Sequence, residues 1–269
     1  MHDGAPSPVT SADDPRVAVF RGLRGRESSD VLWAEGPTVV ERLFRSGLVV
    51  HAVLATPAAL ARIADRLPPH PADLLVAEQA VVNEIVGFDL HRGIVAVAAR
   101  PVLRAIDQVV SPARRLVVLE GINDFENLGA IARSARALGA DGLLLDPTCA
   151  DPYYRRAVRV SMGEMLHLPV ARAPMSEVLA ALDSAGFATW ALTPRRDATP
   201  IDELVRAGAP DKVAILLGAE GPGLSGAVLG ARRNVRIRQR DDVDSLNVGH
   251  ATAAALALLA GAASAPRSG

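Results

Sequence analysis

The stretch AILLGAEGPGLS, residues 214–225, joins an uninterrupted apolar run to a turn crowded with glycine. An apolar run with no polar alternation predicts a strand buried on both faces, the situation of a parallel sheet covered by helices. Gly221, Pro222 and Gly223 then predict a tight turn with bare backbone amides, because glycine lets a ligand come close to the chain. In parallel α/β sheets ligands bind outside the carboxyl ends of strands, so this junction predicts a site as well as a strand. It is not a Walker A loop, since no lysine follows, and not a dinucleotide-binding G-x-G-x-x-G.

Working outward, the same alternation runs through the second half of the chain. RLVVLE, GLLLD, LPVARA, FATWAL, KVAILLG and NVRIR read as strands, separated by helical runs such as ENLGAIARSARALG and SEVLAALDSAG. Residues 30–100 repeat the pattern with shorter segments, so an α/β class is expected for both halves. Two prolines and a charge cluster in RPVLRAIDQVVSPARR break the rhythm. The expected organisation is a disordered tail over 1–15, an α/β domain over 16–104, a linker over 105–113 and a second domain over 114–264.

Composition excludes several classes. The 269 residues are 49% hydrophobic, enough for buried cores, yet no run approaches the roughly 18 apolar residues of a membrane span. The polar, acidic start MHDGAPSPVTSADDPR does not read as a signal peptide, so a cytoplasmic location is the default expectation. A net charge of −1 argues against coating nucleic acid through bulk positive field. Local footprints are a different matter. Lys212 is the only lysine, and the arginines cluster, as in Arg21/Arg24/Arg26 and Arg155/Arg156/Arg159. The single Cys149 excludes an internal disulfide and reads as a small buried side chain, and no Cys/His spacing suggests zinc.

Two further junctions carry unexpected polar residues. In ENLGAIARSARALG, Asn127 opens a helix and Arg133 follows among small residues; this fits a capping Asn and an exposed Arg, or a pocket for a guanidinium. In DVDSLNVGHATAAALALLAG, Ser245 is positioned to cap the final helix. Asn247 then falls in the first turn, where an amide competes with backbone bonding, so something outside the helix is expected to need it.

With these three junctions in view, the chain resembles the SpoU family of ribose methyltransferases in the SPOUT superfamily. N-L-G-A-I-A-R (127–133) looks like that family's first motif, L-L-G-A-E-G-P-G-L-S (216–225) its second and D-S-L-N-V (244–248) its third. The resemblance covers residues 114–262. Residues 17–100 look more weakly like the small α/β RNA-recognition domain of ribosomal-RNA members.

The resemblance implies a C-terminal parallel-sheet domain tied in a trefoil knot and an S-adenosylmethionine-dependent transfer of methyl to a ribose 2′-hydroxyl, with ribosomal RNA as substrate. A tRNA-directed enzyme and a catalytically idle ribosome-assembly factor are the alternatives. It implies cofactor contacts from Leu192, Thr193, Gly218, Glu220, Ile237 and Leu246, and catalytic roles for Asn127, Arg133, Glu220, Ser245 and Asn247. It further implies a homodimer, with the arginine able to come from the partner subunit, and no metal or membrane. RNA contacts are expected from Arg21, Arg24, Arg26, Arg92, Arg155, Arg156 and Arg159. One departure concerns RQRDDVD (238–244), where the family commonly shows a proline and a glycine; this puts the loop's geometry in question. Glu164 stands where a small residue is more usual, and His250 reads as a surface or interface side chain.

Overall fold

The computed structural model describes residues 6–21, 30–70, 72–240 and 242–263. Arg24 and Arg26 lie outside the described residues, as does the 1–5 portion of the expected tail. The chain divides into two compact units, Met1–Val102 with Tyr153–Leu166, and Leu103–Pro152 with His167–Gly269.

The first unit is a mixed sheet of β1 (Ser7–Pro8), β2 (Val31–Glu35), β3 (Val50–Ala55), β4 (Asp73–Val76) and β5 (Ile94–Ala99), in the order β1-β4-β3-β5-β2. Strand β5 runs antiparallel to both β2 and β3, whereas β3, β4 and β1 run parallel. Helices α1 (Pro37–Arg45), α2 (Pro57–Ala61) and α3 (Gln79–Val86) connect them. Phe20, Trp33, Leu54, Leu75 and Ile85 fill one core. The expected disordered tail is corrected for its described part: Ser7–Pro8 pairs with Leu75–Val76, and Val9 is buried. Backbone pairing with β4, the burial of Val9 and the burial of Val17 and Phe20 just beyond it hold this stretch to the sheet although its average composition is polar.

The second unit begins with α4 (Ile106–Val110), β6 (Arg115–Glu120), α5 (Phe125–Ala137) and β7 (Gly142–Leu145). Helix α6 (Arg155–Val160) follows in the chain but lies in the stretch that groups with the first unit. The second unit then continues through β8 (Val170–Arg172), α7 (Met175–Ser184), β9 (Ala188–Leu192), β10 (Thr199–Pro200), α8 (Ile201–Arg206), β11 (Val213–Gly218), α9 (Gly226–Ala231), β12 (Arg233–Arg236) and α10 (Val248–Ala263). Its strands are ordered β10-β12-β9-β11-β6-β7-β8, with every pairing parallel.

The central β11 and β6 are apolar on both faces, as their valine-leucine runs require. The expected linker differs. Residues 106–110 are helical, and Val109, Val110 and Ala113 are buried in the same core as Leu116, Leu144 and Leu216. The flanking prolines end this helix without detaching it. Among the described residues no helix is long and apolar enough to cross a membrane.

A carboxylate pins the loops beyond β6 and β7. Asp146 accepts hydrogen bonds from the Gly121, Thr148 and Cys149 amides and from the Thr148 hydroxyl, at 2.9–3.1 Å. Burial pushes its pKa up, but those donors overcome burial and hold it below the usual 3.8. Burial first, then the Asp146 carboxylate, push the Cys149 thiol up to about 12, so this cysteine is an inert packing residue.

Because the folded state lowers the pKa of Asp146, its contribution to stability is complete above 3.8 and fades as pH falls through the lower folded value. Urea unfolding across a pH series is therefore expected to show Asp146→Asn less stable than wild type near neutrality, with the gap narrowing on acidification below that value. A gap that grows toward acid would contradict this assignment.

Candidate functional site

Adjacent parallel strands bring their carboxyl ends to one edge, and there the second unit has a cavity of 430 Å³. Three segments line it: Leu192 and Thr193 after β9, Gly218 to Glu220 after β11, and the chain from Ile237 through Ser245, Leu246 and Asn247 after β12. Every cofactor contact expected from the sequence thus meets in one place. The walls are mixed, with Leu192, Leu217, Ile237 and Leu246 apolar and Glu220 and Asn247 polar.

The glycine-rich turn makes its wall from backbone. A Cβ on Gly218 would lie 2.0 Å from the Gly223 carbonyl carbon and 2.2 Å from the Leu224 nitrogen, so only glycine fits. Gly221 and Gly223 have φ of 88° and 69°, and the Gly223 amide donates to the Ala219 carbonyl at 2.9 Å, closing the turn. Ser225 caps α9 and donates its own amide to Glu120 at the end of β6.

Two expectations about helix caps are corrected. Asp124, not Asn127, caps α5, accepting from the Asn127 amide at 2.8 Å. Asn247, not Ser245, caps α10: its Oδ1 accepts from the Gly249 amide at 2.9 Å and the His250 amide at 3.4 Å, and its carbonyl accepts from Ala251. The same side chain turns its Nδ2 outward, donating to Asn127 Oδ1 at 2.8 Å and Glu220 Oε1 at 2.6 Å. Asn247 therefore ties all three polar junctions together and has no hydrogen-bonding capacity left. Gly249 makes this approach possible, since a Cβ there would meet Ala130 of α5 at 3.1 Å.

Arg133 is exposed on α5 and does not line this cavity. It follows Asn127 by six positions, which turns it roughly 120° away around the helix axis and about 9 Å along it. Among the described residues, the small side chains around Arg133 thus leave it exposed instead of enclosing its guanidinium. Ser245 lines the cavity without serving as the cap, and His250 is exposed.

The basic residues divide. Arg155 and Arg159 converge on the buried carboxylate of Glu35 at 2.7 and 3.4 Å, and Arg155 also lies over the Phe88 ring at 4.9 Å. These two guanidiniums, expected on RNA phosphates, are committed to a buried counter-charge in the first unit. Arg21 donates to the Ala12 and Asp14 carbonyls, while Arg92 and Arg156 are exposed. Glu164 pairs with Arg42. The sequence reading missed Gln239, which lines the cavity beside Ile237. Its signal was its position inside the altered 238–244 loop.

The model of the SpoU rRNA methylase family matches residues 114–257. An uncharacterized tRNA/rRNA methyltransferase of Mycobacterium tuberculosis is 42% identical over 258 residues, spanning 93% of this chain and 89% of that protein. A crystal structure of an RNA 2′-O ribose methyltransferase matches with a TM-score of 0.74 at 28% identity, covering 94% of this chain and 98% of that one. The fold is also that of an AdoMet-bound rRNA methyltransferase from Sinorhizobium meliloti, with a TM-score of 0.77 at 24% identity, covering 94% and 97%.

The double duty of Asn247 separates by substitution. Asn247→Ala removes cap and cross-ties together and is expected to cost about 1–2 kcal/mol in urea unfolding. Asn247→Ser keeps a capping oxygen but loses the amide donors, and is expected to cost about half as much. Equal losses would show that the ties to Asn127 and Glu220 add nothing to stability.

Proposed function

The chain belongs to the SpoU rRNA methylase family, and on that premise we propose that it transfers a methyl group from S-adenosylmethionine to a ribose 2′-hydroxyl of ribosomal RNA. One observation carries this reading: the expected cofactor contacts and three of the five expected catalytic residues, Glu220, Ser245 and Asn247, line one strand-end cavity, and Asn127 is hydrogen-bonded to Asn247 beside it. A cofactor with an aromatic base and a charged amino-acid end suits apolar walls at Leu192, Ile237 and Leu246, bare backbone around Gly218, and a carboxylate at Glu220. When bound, S-adenosylmethionine supplies a methyl already activated by its sulfonium, so the protein's task is chiefly to position. The chain joined to this cavity is expected to carry the trefoil knot of the family.

The hydrogen bonds then distribute the roles. Asn247 is saturated, so it orients other groups. Because Asn127 accepts from Asn247 through Oδ1, its own Nδ2 is left as the donor toward a substrate oxygen. Glu220 is engaged at Oε1, which leaves Oε2 to meet a cation or a hydroxyl proton. The planar guanidinium of Arg133 stabilises negative charge developing on the ribose oxygen or holds an adjacent phosphate. Its position away from the cavity supports a homodimer in which Arg133 of one protomer serves the cavity of its partner. Arg92 and Arg156, with Arg24 and Arg26, are the proposed phosphate contacts.

Isothermal calorimetry of the full chain is expected to detect S-adenosylmethionine binding, and Arg133→Lys is expected to keep that affinity while losing nearly all turnover. Mixing and reassembling Arg133→Lys with Asn247→Ala protomers, each inactive alone, is expected to recover about a quarter of wild-type turnover, since half the dimers are mixed and each has one intact site. No recovery would mean that Arg133 does not act across the dimer.

A further inference from the structure

The loop between Ile237 and Ser245 lacks the proline and glycine common at this place, yet side-chain hydrogen bonds tie several of its described residues. Arg238 reaches across to Asp202 at 3.1 Å and to Glu203 on α8. The Val243 amide donates to the Arg240 carbonyl at 3.2 Å, and Arg240 clasps Asp242 at 2.9 and 3.0 Å. Among these ties only that of Gln239 also faces the cavity. Its Nε2 donates to the carbonyls of both Val243 and Asp244, each at 3.2 Å. Two acceptors fix the orientation of the amide, because its oxygen turned toward them would meet only other oxygens.

We infer that Gln239 is a positioning residue for the cofactor, its amide closing the 239–244 loop so that Ser245 and Leu246 are held at the cavity wall. This rests on reading the cavity as the S-adenosylmethionine pocket. The two bonded carbonyls immediately precede Ser245, so they set where the next two residues begin. Leu246 is a large apolar side chain left 41% exposed, and Asn247 behind it is fixed by four hydrogen bonds. The segment is thus anchored at both ends, by Gln239 before Ser245 and by Asn247 after Leu246. Releasing the Gln239 end lets Leu246 leave the wall while the helix cap stays intact. The fraction of chains with a complete pocket then falls, and apparent cofactor affinity falls by the same factor.

The test compares wild type, Gln239→Glu and Gln239→Ala in calorimetric titrations with S-adenosylmethionine, alongside KM and kcat on the RNA substrate. Glutamate is nearly isosteric but has no donor when ionised. Both variants are expected to raise Kd and KM for S-adenosylmethionine about tenfold, the effect of losing two ordinary hydrogen bonds. Turnover at saturating cofactor is expected to stay within about twofold, and the unfolding midpoint without cofactor to fall by only about 2–5 °C, the shift that the loss of two hydrogen bonds implies for a chain of this size. Wild-type affinity in Gln239→Glu, or a defect in Glu that Ala does not share, overturns the role of Gln239 while leaving the cofactor reading intact. A wild-type chain that binds no S-adenosylmethionine overturns the cofactor reading, and this inference with it.

Discussion

The hydrogen bonds of one carboxamide, that of Asn247, organise the site. Its oxygen holds the first amides of α10, and its nitrogen holds Asn127 and Glu220. An Asn at a helix start is ordinary, and each bond taken alone adds little to stability. The consequence lies in the geometry: the same rigid, planar group that begins the last helix also fixes the first turn of α5 and the turn after β11. Displacing it would move all three together.

The cavity beside it depends on a steric constraint. Gly218 passes so close to Gly223 and Leu224 that no side chain fits, and the chain can fold back on itself beyond β11 only for that reason. One wall of the pocket is thus the bare main chain of the glycine turn. Polar side chains cluster on one side of it, where Glu220, Asn127 and Asn247 meet. The apolar walls come from the end of β9 at Leu192, the end of β11 at Leu217 and the chain after β12 at Ile237 and Leu246.

Much of this was legible in the sequence, for physical reasons. Strands apolar on both faces announce a parallel sheet and its ligand-binding edge, whereas Leu192, Gly218, Ile237 and Leu246 were named through the resemblance of the three motifs to the SpoU family. What was not legible depended on partners distant in sequence. Ser245 and Asn247 are both good caps, and only the hydrogen bonds from the Gly249 and His250 amides show Asn247 to be the one used. Arg155 reads as a surface cation until Glu35, 120 positions earlier, is seen buried against it. Residues 106–110 looked like a linker because prolines flank them, but Val109 and Val110 needed the core formed by Leu116 and Leu144 to show that they are helix and core. The loop 238–244 lacks the proline and glycine common in the family, which put its geometry in question. In the structure Gln239 and the Arg240–Asp242 pair perform its closing by side-chain hydrogen bonds.

The most direct test of the account is where the methyl group ends up. The full chain, incubated with S-adenosylmethionine labelled in its methyl group and with unmodified ribosomal RNA, should yield label that survives complete digestion to nucleosides as a 2′-O-methylated nucleoside. Label recovered on a base, or an RNA that takes up none while the cofactor binds, would contradict it.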